Sequence, residues 1–269
     1  QTTRTRIMGV LNVNENQLVF VDTPGFHKPR NMLDQYMSKA TQNGLSDVEV
    51  AVLVVEAAPK FKFDYENLPP AELELIEQFK KRKLPVVLAV NKIDLLEKKD
   101  ELLTMISAYV SCFEFAAVVP ISAKNKDGIE IIVSELIKFS KPGPHYFDED
   151  TVTDQPDRTM VAEIIREKIL RTLSDEIPHG TAVEIEQFYE RDNANGEPIL
   201  EVGATIYCEK DSHKGILIGK GGNMLKKIGS HARHDIEQFF GLKTNLKLWV
   251  KVKEDWRNRE GLIHNFGLD

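Results

Sequence analysis

Two apolar runs constrain the fold more than any other feature of this chain: VAVLVV at 50–55 and PVVLAV at 85–90. Both are apolar at consecutive positions and rich in β-branched residues, the pattern of parallel strands buried on both faces. FAAVVPISA, ending at Ala123, is a weaker run of the same kind. Helical patterns lie around these runs, at roughly 31–43, 70–83, 99–111 and 127–139. In the last of them, Ile129, Ile132, Val133, Leu136 and Ile137 recur at helical spacing. Ahead of the first run, RIMGVLNVNENQLVFVD reads as two strands joined by a polar turn at Asn14–Gln17. Strand and helix in alternation predict a doubly wound α/β domain, whose ligands bind at the carboxyl ends of the strands.

The alternation stops at SKPGPHYFDEDTVTDQPD, residues 140–157, which carries three prolines, several acids and little periodicity. It reads as a linker. Beyond it, RTMVAEIIREKILRTLSDEIP is an amphipathic helix ending before Pro178, and TAVEIEQFYERDNANGEPILEVGATIYCE is a hairpin across an Asn-Gly-containing turn. A short helix, the tetrapeptide GKGG, a helix over about 223–240 and the strand TNLKLWVKV complete a second unit. Domains are expected at 1–140 and 158–269, joined by a linker at 141–157, and 269 residues suit two domains.

Composition excludes a few classes. No apolar run approaches the ~20 residues of a membrane-spanning helix, and nothing reads as a signal peptide. Cys112 and Cys208 fit no metal or redox spacing and are expected as buried free thiols in a reducing cytosol. The net charge of −7 argues against nucleic acid, but it is unevenly spread. Residues 210–259 hold 12 Lys and Arg against 5 Asp and Glu, and the remainder holds 23 against 37. A basic segment on an acidic chain points to a localised polyanion site, although a solvated charged face would look the same by charge alone.

Three polar motifs fall in order at predicted strand ends. In DTPG (22–25), Asp22 can hold Mg²⁺ through water, and the Gly25 amide can approach a γ-phosphate because no Cβ blocks it. In NKID (91–94), the Asp94 carboxylate can accept from N1–H and N2–H₂ of guanine, a donor pair adenine does not offer. The apolar stem of Lys92 can cover the ring, and Asn91 can tie neighbouring loops together. In SAK (122–124), the Ala123 amide can reach guanine O6, with Ser122 and Lys124 beside it. Alone, each motif is a turn or a polar helix entry; in this order each ends a strand, as a guanine-nucleotide site requires.

This order and spacing resemble GTPases of the Era type, and the resemblance extends over essentially the whole chain. It implies that QTTR at the start is a switch segment whose Thr3 (Thr2 being the alternative) ligates Mg²⁺ and senses the γ-phosphate. With Thr23 and Pro24 of DTPG, these residues make up the expected GTP/GDP and Mg²⁺ site. Nucleotide sites of this class also need a G-x-x-x-x-G-K-[ST] loop, which these residues do not contain. Their one Gly-Lys pair is Gly219–Lys220, where three residues separate the glycines and Gly follows Lys. The first residue is Gln, so the expectation is that the first strand, the phosphate loop and the first helix lie upstream. Phe26 and His27 follow DTPG where Ras-like enzymes carry a water-orienting Gln. Hydrolysis is therefore expected to be slow without a partner or another switch residue, and no catalytic residue is assigned.

KGILIGKGGNMLKKIG (214–229) supports a second chemistry. Glycines let backbone approach a ligand, and the helix from about Asn223 offers amides and a positive dipole end to phosphate. Gly219, Lys220, Gly221 and Gly222, with Lys226 and Lys227, would hold the RNA backbone. Ile216, Ile218, Leu225 and Ile228 would form an apolar wall for unstacked bases. This resembles the GXXG loop of KH domains, which clamps about four nucleotides, in the type II order found in the Era family. A tight helix–helix turn is the plainer reading of the glycines.

The fold expected is thus a doubly wound P-loop GTPase-type sheet without its first strand and P-loop, plus a C-terminal α+β type II KH domain. The resemblance implies a cytoplasmic, monomeric GTP-hydrolysing switch. It would bind the 3′ region of 16S rRNA through the KH domain and assist maturation of the small ribosomal subunit. Peripheral membrane association belongs to the same implication, and nothing in this sequence requires it. Two other readings stand beside it: a non-enzymatic RNA-binding adaptor with a degenerate G domain, and a tandem-GTPase relative of the Der kind. The second is disfavoured by a single set of DTPG, NKID and SAK.

Overall fold

The computed structural model describes residues 3–25, 29–46, 48–57, 68–174 and 177–268. The chain opens with an antiparallel hairpin, β1 (Ile7–Val13) and β2 (Asn16–Asp22), whose turn places Asn14 at φ 53°. Asparagine tolerates that left-handed geometry better than most residues. Helix α1 (Met32–Gly44) follows, its Asn31 side chain accepting from the Asp34 amide as an N-cap. Then come β3 (Ala51–Glu56), α2 (Pro70–Arg82), β4 (Val86–Asn91), α3 (Lys99–Cys112), β5 (Ala117–Pro120) and α4 (Ile129–Ile137).

Strands β3, β4 and β5 are parallel, in that order, with β4 central. Alternate β4 side chains feed opposite faces. Val86, Leu88 and Val90 pack with Ile76, Phe79, Met105 and Tyr109, while Val87 and Ala89 pack with Val119, Ile132 and Leu136. Each fully buried Val or Leu contributes roughly 1.5–3 kcal/mol, which explains the continuous apolar run in this strand. Among the described residues, β2 and β3 do not pair, so the single sheet expected for this domain stands as two. No described strand lies between them.

The second unit runs α5 (Asp157–Thr172), β6 (Ala182–Asp192), β7 (Pro198–Cys208), α6 (Asp211–Ile218), α7 (Asn223–Phe240), β8 (Lys243–Val252) and α8 (Glu260–Asn265). Its sheet order is β6-β7-β8, antiparallel then parallel. Leu200, Val202, Ala204 and Ile206 point from β7 into a core shared with α5, α6 and α7. Cys208 is buried there and Cys112 is partly buried, both as free thiols.

The stretch between the two units is not a loose tether. It lies along the hairpin: the Val10 amide donates to Val152 O at 2.9 Å, and Thr153 Oγ1 donates to Met8 O at 2.6 Å. The Gln17 side chain donates to Phe147 O and accepts from the Tyr146 and Phe147 amides. A further cluster joins the units directly. Leu33 and Met37 of α1 pack with Tyr207, Trp256, Ile263 and Leu268. The short turn at Trp256–Asn258 and α8 build this contact, and neither was expected from the sequence.

Candidate guanine-nucleotide and RNA sites

The residues expected at the base pocket come together through side-chain bonds between loops. Asn91 ends β4, and its Oδ1 accepts from the Lys92 amide at 2.8 Å and from the Ala123 amide at 3.0 Å. One carbonyl thus holds the NKID and SAK loops in register. Ser122, 1% exposed, donates its hydroxyl to Asp94 Oδ1 at 2.6 Å, which aims the carboxylate. Lys92 sits at φ 68°, and its ammonium pairs with Glu56 at the end of β3. The SAK turn closes where the Ser122 and Asp127 backbones exchange bonds of 3.1 Å. Gly128 follows at φ 77°, and a Cβ there would lie 2.6 Å from Pro120 O, so only glycine fits.

The Ala123 amide is already engaged by Asn91, so reaching guanine O6 requires it to exchange that partner. Asp94, Ala123 and Lys124 are exposed, as a ligand-facing edge would be.

The phosphate side is built from the start of the chain and the end of β2. Thr3 Oγ1 donates to Asp22 Oδ2 at 2.7 Å, which sets two hard oxygen donors side by side. Pro24 is buried, and its carbonyl accepts from Thr41 Oγ1 of α1 at 2.8 Å. The Thr23 methyl group packs where Gly44 leaves room; a Cβ at Gly44 would come within 2.4 Å of it. A Cβ at Gly25 would meet nothing within 4 Å among the described residues. Thr2, Phe26 and His27 lie outside the described residues.

The GKGG segment is a kinked junction between α6 and α7. Gly219, Gly221 and Gly222 have φ of 72°, 61° and 79°. Gly219 is fixed by packing as well, since a Cβ would lie 2.6 Å from the Met224 Cβ. Gly221 is different: a Cβ there would meet nothing within 4 Å. Lys220, Gly221, Lys226 and Lys227 are exposed on one tip, and Gly222 is half-buried. Ile216 is 46% exposed and Ile218 half-buried, beside the tip. Ile228 is fully buried in the core, so it is not part of a base-contacting wall; the helical period turns it inward with Ala232 and Ile236.

The Elongation factor Tu GTP binding domain model matches residues 2–178, and a KH domain model matches residues 176–257. The GTPase Era of Ruminiclostridium cellulolyticum is 45% identical over 269 residues, covering 99% of this chain and 86% of the relative.

The chain belongs to the Era GTPase family.

The Era of Clostridioides difficile is 46% identical, covering all of this chain and 87% of its own length. Two solved Era structures superpose with a TM-score of 0.89, each over 99% of this chain and 87% of the other. One, 32% identical, is Era in complex with MgGDPNP and nucleotides 1506–1542 of 16S ribosomal RNA. The other, 34% identical, is a variant of Aquifex aeolicus Era bound to GDP·AlF4⁻. Membership of the Era family makes the protein a GTPase, with the architecture of a P-loop GTPase domain, whose phosphate-loop pattern these residues do not contain, followed by a KH domain.

The sequence reading missed Arg4 and Trp256. An arginine next to a switch threonine and a tryptophan near the end of the chain carry no motif; their burial is what marks them.

Proposed function

We propose that this protein is a guanine-nucleotide switch that binds the 3′ region of 16S rRNA through its KH domain and assists maturation of the small ribosomal subunit. The observation that carries the nucleotide half is the Asn91 carbonyl bridging both base loops while Ser122 aims Asp94. A coincidental turn would have no reason to hold a carboxylate and two loop amides in register. The RNA half rests on the exposed lysine-bearing GKGG tip, and on the Era complex that holds a nucleotide analogue and 16S RNA together.

Thr3 and Asp22 fit Mg²⁺, which takes oxygen ligands and keeps several waters. When bound, the metal would neutralise charge on the nucleotide phosphates. Thr3 would sense the γ-phosphate, and Asp22 would hold the metal through water. Asp94 would select guanine, and Lys92 would cover its ring. The reading also requires a phosphate-cradling loop, a pattern these 269 residues do not contain. It places the work in the cytoplasm, where ribosomes assemble. Among the described residues, no helix is long and apolar enough to cross a membrane.

The test uses the full-length protein. GTP turnover and binding to an RNA of the 16S 3′ end should both be measurable, with GTP preferred over ATP. RNA binding without any GTP binding would replace this reading with the non-enzymatic adaptor.

A further inference from the structure

Thr3 and Arg4 are consecutive, yet their side chains serve different domains. Thr3 bonds to Asp22 at the phosphate side. Arg4 leaves the GTPase domain and is buried, 4% exposed, in the KH unit. Its Nη1 donates to Thr181 O at 2.5 Å and its Nη2 to His179 O at 2.9 Å. The guanidinium lies 5.6 Å from the ring centre of Trp256, and Trp256 Nε1 donates to Gly180 O at 3.0 Å. Three successive carbonyls, 179 to 181, are thus taken by two side chains. Together they form a socket for one cation.

No described carboxylate lies within ion-pair distance of Arg4. The nearby Glu163 is bound to Arg166. Burial, with Arg166 close by, holds the Arg4 guanidinium down to about 9, still charged at neutral pH. A buried charge without a described ion-pair partner, attracted only at longer range by Glu163 and Asp34, is an expensive way to fill space, and an apolar side chain of similar volume would pack at lower cost. What the arginine adds is geometry: a planar fork that fits two carbonyls in one orientation.

Neighbouring Cα atoms are about 3.8 Å apart, so Thr3 cannot move far without pulling on Arg4. The DTPG loop is tied to the same place. Helix α1 ties the DTPG loop through Thr41 and packs on Trp256 through Leu33 and Met37. On the far side of the socket, a Cβ at Gly180 would sit 3.2 Å from the Glu209 carboxylate. Glu209 pairs with Arg257 and precedes α6, the helix that ends in GKGG.

We propose that Arg4 is the positioning residue through which nucleotide state and RNA affinity are coupled. Seated in the 179–181 socket, it holds Thr3 in register with Asp22. When Thr3 loses its γ-phosphate and metal order, Arg4 is pulled from the socket and the contact under α6 loosens. This rests on the switch reading above. Linkage requires that RNA then strengthens GTP binding by the same factor that GTP strengthens RNA binding.

The test measures that factor in the full-length protein. It is the ratio of RNA dissociation constants with GDP and with a non-hydrolysable GTP analogue, for wild type, Arg4→Met and Arg4→Lys. Coupling of this kind is typically about 5–150-fold. Arg4→Met should bring the ratio close to one while GDP affinity stays within about twofold, since GDP does not engage Thr3. Arg4→Lys keeps the charge but not the fork and should restore only part of the ratio. An undiminished ratio in Arg4→Met overturns the inference and leaves the switch reading standing. A wild type that binds GTP and RNA with a ratio of one overturns it as well. A wild type that binds neither ligand defeats the switch reading first. Should Arg4→Met and Arg4→Lys both fail to fold, Arg4 is a structural residue and the inference falls.

Discussion

The two sites of this protein are built in opposite ways. The proposed nucleotide site is assembled from loops that are far apart in sequence, and its residues are positioned by one another: Ser122 aims Asp94 and Asn91 holds Ala123 on the base side, and Thr3 meets Asp22 on the phosphate side. The proposed RNA site is one contiguous junction between two helices, positioned by backbone geometry and by a core beneath it that includes Ile228. An assembled pocket fails by losing partners, whereas a contiguous loop fails by losing shape or charge. Substitutions should therefore act differently in the two places.

The largest effect is expected at Asp94. In the full-length protein Asp94→Asn loses the match to N1–H and N2–H₂ but can donate to O2 of xanthine. GTP affinity should fall by at least ~3 kcal/mol, upward of a hundredfold, with xanthine nucleotides gaining. Competition binding checks this, and a variant binding GTP like wild type would remove Asp94 from the base pocket.

Next come the glycines of the junction, where two positions with similar φ should respond unequally. Gly219 has φ 72° and ψ 174°, a conformation essentially closed to residues with a Cβ, so Gly219→Ala adds that strain to a clash with Met224 and should destabilise by about 2–4 kcal/mol. Gly221, at φ 61° and ψ 22°, is in the milder left-handed region with open space around it, so Gly221→Ala should cost only about 1 kcal/mol. Thermal unfolding reads the difference; equal shifts would show that neither the Met224 contact nor the ψ of 174° fixes Gly219.

The smallest effect is expected at Ser122. Ser122→Ala removes one hydrogen bond to the exposed Asp94 carboxylate, which water can replace, and should weaken GTP by about 1 kcal/mol, roughly fivefold, without changing the preference for guanine. No measurable change would mean that the carboxylate is aimed by something else.

Legibility followed the same division. Strand β4 was readable because both of its faces are buried, and α4 because its apolar residues keep helical spacing. The GKGG junction was readable because special backbone needs glycine. Other features depended on contacts between residues far apart. The role of Ile228 was set by the direction its helix faces. The engagement of the Ala123 amide was set by a side chain thirty-two positions earlier. Arg4 and Trp256 form a cross-domain socket that leaves no local pattern. The linker looked featureless because its order comes from bonds to the hairpin and not from its own periodicity.

The central claim, that nucleotide and single-stranded RNA are read at separate sites of one chain, is tested most directly at the loop tip. Lys220 and Gly221 are exposed, and aspartate tolerates the φ of 61° at Gly221, so replacing both with Asp should alter stability only modestly. Fluorescence anisotropy on an A/C-rich single strand, titrated with the full-length double variant, should show RNA binding abolished while GTP binding is unchanged. Wild-type RNA affinity should fall with salt at a slope near −0.7 per neutralised phosphate. A folded double variant that binds RNA as wild type does would contradict the account and leave GKGG as a turn between helices.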